Sequence, residues 1–178
     1  SGANCGNNCN GNNGGAIRIV SGDEGYLTVD NCAFTQNTGA AGGAVHIDQG
    51  TILSVNTTYT QNIAVSKDTN NIYGGAISTY DESHVYIIGK KSLFNDNKLT
   101  PRAAGTGFGK AVAMCCSKAK LNLLNTNDDT FEALSDIHFR SEAALQNVNA
   151  DNPLYTQYCV DKPNKNEGVV CKNLPPPC

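Results

Sequence analysis

The stretch "GGAIRI" at residues 14–19 has two close relatives later in the chain, "GGAVHI" at 42–47 and "GGAIST" at 74–79. A fourth version, "GKAVAM" at 109–114, keeps the alanine and the branched aliphatic residue but has lysine in place of the second glycine. The equivalent positions Gly15, Gly43, Gly75 and Lys110 follow one another at intervals of 28, 32 and 35 residues. Self-similarity on this scale indicates a protein built from stacked repeats.

A second signature follows each copy of the first. It is an aromatic residue with asparagine three positions later, in "FTQN" (Phe34–Asn37), "YTQN" (Tyr59–Asn62) and "FNDN" (Phe94–Asn97). The fourth version, "FEAL" from Phe131, keeps the aromatic residue and has Leu134 in place of the asparagine. Between the two signatures lie short alternating runs, "LTVD" from Leu27, "LSVN" from Leu53, "VYII" from Val85 and "LNLL" from Leu121. A period of two with branched and aromatic residues predicts strands.

A unit of this size has too few apolar residues to bury its own face, so like units are expected to stack into a solenoid with columns of like residues inside. The predicted inward pairs are Ile17/Ile19, Val45/Ile47, Ile77/Thr79 and Val112/Met114 on the first strand, and Leu27/Val29, Leu53/Val55, Val85/Ile87 and Leu121/Leu123 on the second. Phe34, Tyr59, Phe94 and Phe131 are expected to form an aromatic stack, and Asn37, Asn62 and Asn97 an amide ladder. An antiparallel β-sandwich is the alternative, but it gives no reason for two kinds of corner to recur in register.

Together the two signatures resemble the polymorphic outer-membrane-protein repeat, defined by GGA-[ILV] and FxxN, over roughly residues 11–135. The resemblance implies an all-β, right-handed parallel β-helix of about four to five coils, secreted or exposed on a cell surface, with an adhesive or structural role. The fourth coil departs from the pattern at Lys110 and Leu134, as terminal repeats often do when they lead into a cap. The expected organisation is a Cys/Asn/Gly-rich segment at 1–13, repeats at 14–135 and an irregular C-terminal cap at 136–178, with a Pro-rich tail.

Eight cysteines in a chain of this length favour disulfide reinforcement in an oxidising compartment over a metal site, which would need paired knuckles with matching partners. The stretch from Cys159 to Cys171 resembles a disulfide-closed loop. The terminal cysteine is expected either to fold back onto the solenoid or to reach a neighbouring subunit. The disulfide candidates are Cys5, Cys9, Cys32, Cys115, Cys116, Cys159, Cys171 and Cys178.

Composition bounds the partners. A net charge of −3 and a pI near 5.5 argue against nucleic acid, and no apolar run approaches the length of a membrane span. The sequence Asn56-Thr57-Thr58 is an N-glycosylation acceptor, and strand alternation predicts that Asn56 points outward. The predicted partners are surface glycans or further copies of the chain, joined head to tail.

Signs of catalysis are few. The outward column predicted for the first strand is Arg18, His46, Ser78 and Ala113, and that of the second is Thr28/Asp30, Ser54/Asn56, Tyr86/Ile88 and Asn122/Leu124. Neither contains the carboxylate cluster that sugar-cleaving enzymes need. The acids Asp23, Glu24, Asp81 and Glu82 lie in turns, where a weak Ca²⁺ site is possible but solvated turn acids are commoner. The three histidines are dispersed, and each is expected to be a surface or capping residue.

The sequence therefore predicts a non-enzymatic, extracellular structural or adhesive β-solenoid without a cofactor, and specifically a subunit of a self-assembling filament. The main alternative is a β-helix that binds or cleaves polysaccharide. A third reading, an ice-binding protein, is less favoured because the outward columns are uneven in size and chemistry.

Overall fold

A computed structural model of the chain describes residues 14–20, 25–65, 72–89, 92–100, 107–114, 119–124, 137–139, 148–150, 157–161 and 169–173. These residues form strands and turns, and no helix among them is long and apolar enough to cross a membrane. The strands, in chain order, are β1 (Ile17–Val20), β2 (Tyr26–Asp30), β3 (Ala33–Thr35), β4 (Thr38–Gly39), β5 (Val45–Val55), β6 (Thr58–Thr60), β7 (Ile63–Val65), β8 (Ile72–Tyr73), β9 (Ile77–Thr79), β10 (Ser83–Ile88), β11 (Leu93–Asn95), β12 (Lys98–Thr100), β13 (Gly107–Phe108), β14 (Val112–Met114), β15 (Lys120–Leu124), β16 (Ile137–Phe139), β17 (Val148–Ala150), β18 (Gln157–Asp161) and β19 (Val169–Asn173).

The fold is all-β, and its strands pair almost entirely in parallel. The first ladder runs β1-β5-β9-β14-β16-β18-β19, and only its last pair, β18 with β19, is antiparallel. The second ladder runs β2-β5-β10-β15-β17 and is joined to the first through the long strand β5. A third ladder contains β3, β6 and β11, and a fourth contains β4, β7 and β12. Parallel neighbours thus come from successive repeats, because a parallel pair needs a long connection between its strands.

The register of the first two ladders follows the repeat. In the first ladder Ile17 pairs with Val45, Val45 with Ile77, and Ile77 with Val112, so the residues after each Gly-Gly-Ala corner stand side by side. The second glycine of the corner is required by contact: a Cβ on Gly43 would lie 2.2 Å from the carbonyl oxygen of Gly75 and 2.5 Å from the backbone nitrogen of Ile63. The corners of the first three repeats each approach the next corner too closely for a side chain at this position, whereas the fourth corner carries Lys110 there.

Left-handed backbone marks the other two corners of each repeat. The residue directly before the asparagine of the second signature has a positive φ in three repeats: 57° at Gln36, 56° at Gln61 and 51° at Asp96. Asn31, Asn56 and Gly89 occupy the corner at the end of the second-ladder strands, with φ of 49°, 47° and 92°. Asparagine, aspartate and glycine adopt this conformation at least cost, which accounts for four of these six positions; Gln36 and Gln61 hold it without that preference.

One apolar core lies between the ladders. Val45, Ile77 and Val112 of the first ladder are fully buried, as are Val85 and Leu121 of the second. Tyr59 of the third ladder is also fully buried and belongs to the same cluster, with Phe34 and Phe94 packed against it. Because three ladders contribute to a single core, each one is stabilised by burial against the other two.

The second-ladder column of the second repeat differs from the sequence expectation. Leu53 and Val55 were expected inside, and this is wrong: Ile52 and Ser54 are fully buried, and Leu53 lies in register with Tyr86 on the outer face. The register of β5 fixes this choice, since Ile52 pairs with Leu27 on one side and with Val85 on the other. Ser54 is accepted inside because its hydroxyl is hydrogen-bonded to Tyr59 Oη at 3.0 Å.

Parallel pairing also continues beyond residue 135, where the repeats were expected to give way to a cap. Strand β16 pairs with β14, β17 with β15, and β18 with β16, all in parallel. The antiparallel pair of β18 and β19 is the last of the first ladder among the described strands. The segment 1–13 and the Pro-rich tail at 174–178 lie outside the described residues.

Candidate functional site

Two residue sets of the repeat form continuous polar or aromatic columns, and a third set forms a charged chain across three strands. The aromatic column contains Phe34, Tyr59 and Phe94, which pair in register on β3, β6 and β11. The ring centroids of Phe34 and Tyr59 are 5.1 Å apart, and those of Tyr59 and Phe94 are 4.6 Å apart, with interplanar angles of 6° and 12°. The fourth expected member, Phe131, lies outside the described residues.

Beside this stack the asparagines form a directed ladder. Asn37 donates from its backbone nitrogen and from Nδ2 to Asn62 Oδ1, and Asn62 donates from the same two groups to Asn97 Oδ1. Asn62 Nδ2 also donates to the carbonyl oxygen of Phe34, and Asn97 Nδ2 to that of Tyr59. All three side chains are buried, so this ladder satisfies the backbone at a corner from which water is excluded.

The charged chain lies on the face of the first ladder that points away from the core. Arg18, His46 and Ser78 occupy equivalent positions on β1, β5 and β9 and pair in register, and Asp48 follows on β5. Asp48 Oδ2 accepts from Arg18 Nε at 2.8 Å and from Nη2 at 2.7 Å. His46 joins the other two members: its Nε2 is 3.0 Å from Asp48 Oδ1, and its Nδ1 is 2.6 Å from Ser78 Oγ.

This face is not the solvent-exposed column that the alternation predicts. His46 is 5% exposed and Ser78 is 3% exposed, and Ala113, next in register, is also buried. The expectation that His46 is a surface or capping residue is therefore wrong. His138 lies on β16, where only the backbone is described, and His84 is half-buried on β10.

Burial sets the protonation of His46. It lowers the pKa of His46 below the ordinary value of 6.5, and this outweighs the opposing charge and hydrogen bond of Asp48, while Arg18 lowers it further. A neutral imidazole carries one proton, and the carboxylate at Nε2 favours that proton on Nε2. Nδ1 then accepts from the hydroxyl of Ser78, so every member of the chain has a partner.

The order serine, histidine, aspartate also occurs in hydrolase triads, but the geometry of the two arrangements differs. In those triads the aspartate binds Nδ1 and the serine binds Nε2, whereas here the two nitrogens are exchanged. A nucleophile must also reach a substrate carbonyl, and Ser78 is almost fully buried. The geometry instead suits a clamp that joins three consecutive repeats.

A pocket of about 290 Å³ lies next to the third member of the asparagine ladder. Its lining combines one aromatic ring with amide, carboxylate and ammonium groups, from Phe94, Asn95, Asp96, Asn97, Lys98, Lys110 and Ala111. Phe94 is stacked on Tyr59, and the side chain of Asn97 is engaged in the ladder. The other polar residues of the lining, Asn95, Asp96, Lys98 and Lys110, are exposed.

Among the described residues no group of three or more potential metal ligands occurs. Asp81 accepts a hydrogen bond from Gln49 Nε2 at 2.9 Å, and Glu82 is also engaged. Asp23 and Glu24, the other two candidates for Ca²⁺, lie outside the described residues.

Among the cysteines, only Cys32 has a described side chain. It is exposed, and its thiol donates to the carbonyl oxygen of Asp30 at 3.3 Å; its pairing with another cysteine stays a prediction. Cys159 and Cys171 are described through their backbone and stand directly opposite each other in the antiparallel pair of β18 and β19. The other five lie outside the described residues.

The glycosylation candidate Asn56 lies just after β5, so the alternation of side chains along a strand does not decide where it points. It adopts left-handed backbone at the corner after β5 and is half-buried, and a Cβ on Gly89 in the next repeat would lie 2.3 Å from its Oδ1. A glycan on Asn56 would therefore start at a corner of the stack and not on the face of a strand.

Comparison of the chain with protein-family models, with curated proteins and with solved structures found no match.

Proposed function

We propose that this chain is a non-enzymatic structural or adhesive protein that acts outside the cell as a right-handed parallel β-helix. The observation that carries the proposal is the order of the ladders along the chain. Strands β1 to β4 visit the first, second, third and fourth ladders in turn, and the chain then visits the same ladders again from β5 to β7 and from β9 to β12. The repetition of this circuit around one core supports a coiled path, and parallel crossovers are right-handed in nearly all known cases.

The contacts favour a structural role, in which the stack of repeats serves as a stable scaffold. Three sets of contacts connect one repeat to the next: the aromatic stack, the asparagine ladder, and the hydrogen bonds that join Arg18, Asp48, His46 and Ser78. Each is a contact that stabilises the long axis, and none presents a reactive group to solvent within the described residues. Solenoids of this kind gain stability through the interfaces between neighbouring repeats.

We propose further that the columns associate head to tail into filaments. The strands of the first repeat, β1 to β4, each pair on one side only within the described part of the chain. The core is also less covered there: Ile17, Leu27 and Phe34 are only partly buried, whereas Val45, Ile52 and Tyr59, one repeat further on, are fully buried. Open strand edges promote strand addition, and a head-to-tail contact that does not close generates a filament.

Negative-stain electron microscopy and sedimentation velocity of the purified chain test this proposal. Filaments, or a series of oligomers that grows with concentration, are the expected result. A strictly monomeric particle at all concentrations would contradict the filament. Fibre diffraction from aligned filaments tests the β-helix itself. A pattern without an axial repeat near 4.8 Å would contradict it.

Glycan binding is the second candidate, and the pocket at the end of the asparagine ladder is the observation that favours it. Amide, carboxylate and ammonium groups around a pocket of this size offer both donors and acceptors to sugar hydroxyls. A glycan array probed with the wild-type chain and with Lys98→Met, which keeps most of the stem, tests it. Selective binding that Lys98→Met weakens supports this site, and equal binding by both chains would place the glycan elsewhere.

A further inference from the structure

The two edges of the first ladder lie at opposite ends of the molecule. In the order β1-β5-β9-β14-β16-β18-β19, every strand between β1 and β19 has a neighbour on both sides. Strands β1 and β19 each have a neighbour on one side only within the described residues. Each therefore presents a row of backbone donors and acceptors without a strand partner.

The free edge of β1 can be assigned to particular residues. Ile17 donates its backbone N–H to the carbonyl oxygen of Ala44, so Ile17 faces β5. Successive residues of a strand direct their backbone groups to alternate sides, so those of Arg18 face away from β5 and towards the open edge. By the same alternation Val20, two residues after Arg18, also directs its backbone groups away from β5, and its side chain is 65% exposed.

The opposite end of the molecule is stepped. In the described part of the chain the last strand of the second ladder is β17, which lies at the level of β16, because β14 pairs with β16 and β15 pairs with β17. The first ladder continues for two more strands, β18 and β19. A partner that approaches this end along the axis therefore meets β19 first.

We infer that the head-to-tail joint is a strand pair between copies, in which β1 of one copy adds to β19 of the next. The inference rests on the proposed filament and names the surfaces that form it. A second copy is the occupant because one translation along the axis places the two open edges of the same ladder side by side, whereas an unrelated strand would satisfy only one of them. The strands match in length, with four residues in β1 and five in β19.

The joint is antiparallel. Strand β1 runs in the same direction as β5, β9, β14, β16 and β18, and β19 runs against them. Translation preserves the direction of β1, so it arrives antiparallel to β19. The result is a sheet that continues through the filament with one reversed strand in each copy.

A photo-crosslinking amino acid at Val20 tests the position of the joint in filaments assembled from a mixture of ¹⁴N-labelled and ¹⁵N-labelled chains. Mass spectrometry is expected to find crosslinks between residue 20 of one isotope and the peptide that contains 169–173 of the other. The same amino acid at Tyr80 is the control, because Tyr80 is 55% exposed but follows β9 in the middle of the ladder. Filaments whose residue 20 crosslinks to other parts of the neighbouring chain would overturn the inference and leave the filament proposal standing.

Proline at residue 18 tests the role of the edge N–H. Arg18→Pro and Arg18→Ala both remove the ion pair with Asp48, but only proline also removes the N–H that faces the open edge. We expect Arg18→Ala to assemble and Arg18→Pro to raise the concentration needed for assembly at least tenfold, with a monomer melting temperature close to that of Arg18→Ala. Equal assembly by the two variants would overturn the inference. If Arg18→Pro does not fold, the crosslinks from residue 20 decide, and if the wild-type chain forms no assembly, both proposals fail.

Discussion

Asn37 donates both its backbone N–H and its side-chain amide to one atom, Asn62 Oδ1, at 3.1 and 2.9 Å. Asn62 repeats the same pair of bonds to Asn97 Oδ1 in the next repeat. Oδ1 thus accepts from one neighbour while Nδ2 and the backbone donate to the other. The side chain must be an amide, because a carboxylate has no donor and a hydroxyl is too short to reach both sides.

Replacing Asn62 is expected to disturb three repeats at once. Asn62→Ala leaves both donors of Asn37 and the carbonyl oxygen of Phe34 without their partner, and each buried group left unpaired costs about 1–3 kcal/mol. Asn62→Asp is expected to cost still more at neutral pH, since a buried carboxylate would face Asn97 Oδ1. The free energy of unfolding in urea measures both.

The matched control is Gln61→Asn, which shortens an exposed side chain next to Asn62. It removes the hydrogen bond from Gln36 Nε2 and introduces asparagine, a residue type that tolerates the left-handed backbone at this position. The control is expected to stay within about 0.5 kcal/mol of the wild type. An Asn62→Asp variant as stable as the wild type would contradict the directed ladder.

Tyr59 and Ser54 are expected to behave as one unit. Their hydroxyls are 3.0 Å apart and both residues are fully buried, and burial raises the pKa of the Tyr59 hydroxyl. In the neighbouring repeats the same positions are apolar: Phe34 and Phe94 stand beside Tyr59, and Val29 and Ile87 stand beside Ser54. The polar pair thus replaces an apolar pair of the other repeats.

A double-mutant cycle tests this coupling. Tyr59→Phe and Ser54→Val are each expected to cost about 1–3 kcal/mol, because each leaves one buried hydroxyl unpaired. The double variant reproduces the apolar pair of the adjacent repeats and is expected to lie within about 1 kcal/mol of the wild type, which gives a coupling energy of opposite sign to the single losses. Additive losses, measured by thermal or urea unfolding, would show that the two hydroxyls act independently.

The columns of the repeat could be predicted from sequence because their members stand at constant offsets from a fixed corner. Phe34, Tyr59 and Phe94 are each followed three residues later by asparagine, and that spacing survives the loops of unequal length between repeats. Which alternate residues in the second half of β5 face the core could not be predicted in this way. Local hydrophobicity favours Leu53 and Val55 for the interior, but the pairing of Ile52 with Leu27 and Val85 decides the register, and the hydroxyl of Tyr59 makes serine acceptable inside.

The hydrogen-bonded contacts that join Arg18, Asp48, His46 and Ser78 were not predicted, for a different reason. Aligning the Gly-Gly-Ala corners does place Arg18, His46 and Ser78 in one column, and this alignment was the available signal. Their contact depends on Asp48, which is two residues further along β5 and reaches Arg18 as well as His46. Burial of this outward face also has no counterpart in the alternating pattern, which assigns every second residue of a surface strand to solvent.

Cys159 and Cys171 are predicted to form a disulfide that closes the hairpin of β18 and β19. Directly opposite residues of an antiparallel pair have Cα atoms about 4.5–5.5 Å apart, within the range of about 4.4–6.8 Å that disulfides require. Peptide mapping without reduction is expected to recover the two residues in one linked peptide. Replacing both by serine is expected to cost about 3 kcal/mol, the usual value for a loop of this size. Recovery of either cysteine bonded to a different partner would contradict the pairing.

The stability of the protein is expected to fall in mild acid because of His46. Burial lowers its pKa below 6.5 in the folded state, so between 6.5 and that lowered value the unfolded chain binds a proton that the folded chain does not. Its contribution is fully present above pH 6.5 and is lost as the pH falls through this window. The melting temperature should therefore drop from pH 7.5 to pH 5 by more in the wild type than in His46→Gln, which cannot titrate.

Asp48→Asn removes the neighbour that raises the pKa of His46, so this variant should extend the loss of stability to lower pH. The control is Asp81→Asn, because Asp81 is bonded to Gln49 and not to His46. Identical pH profiles for the wild type and His46→Gln would mean that His46 keeps its ordinary pKa in the folded state, and that the clamp between β1, β5 and β9 accepts a protonated imidazole without loss.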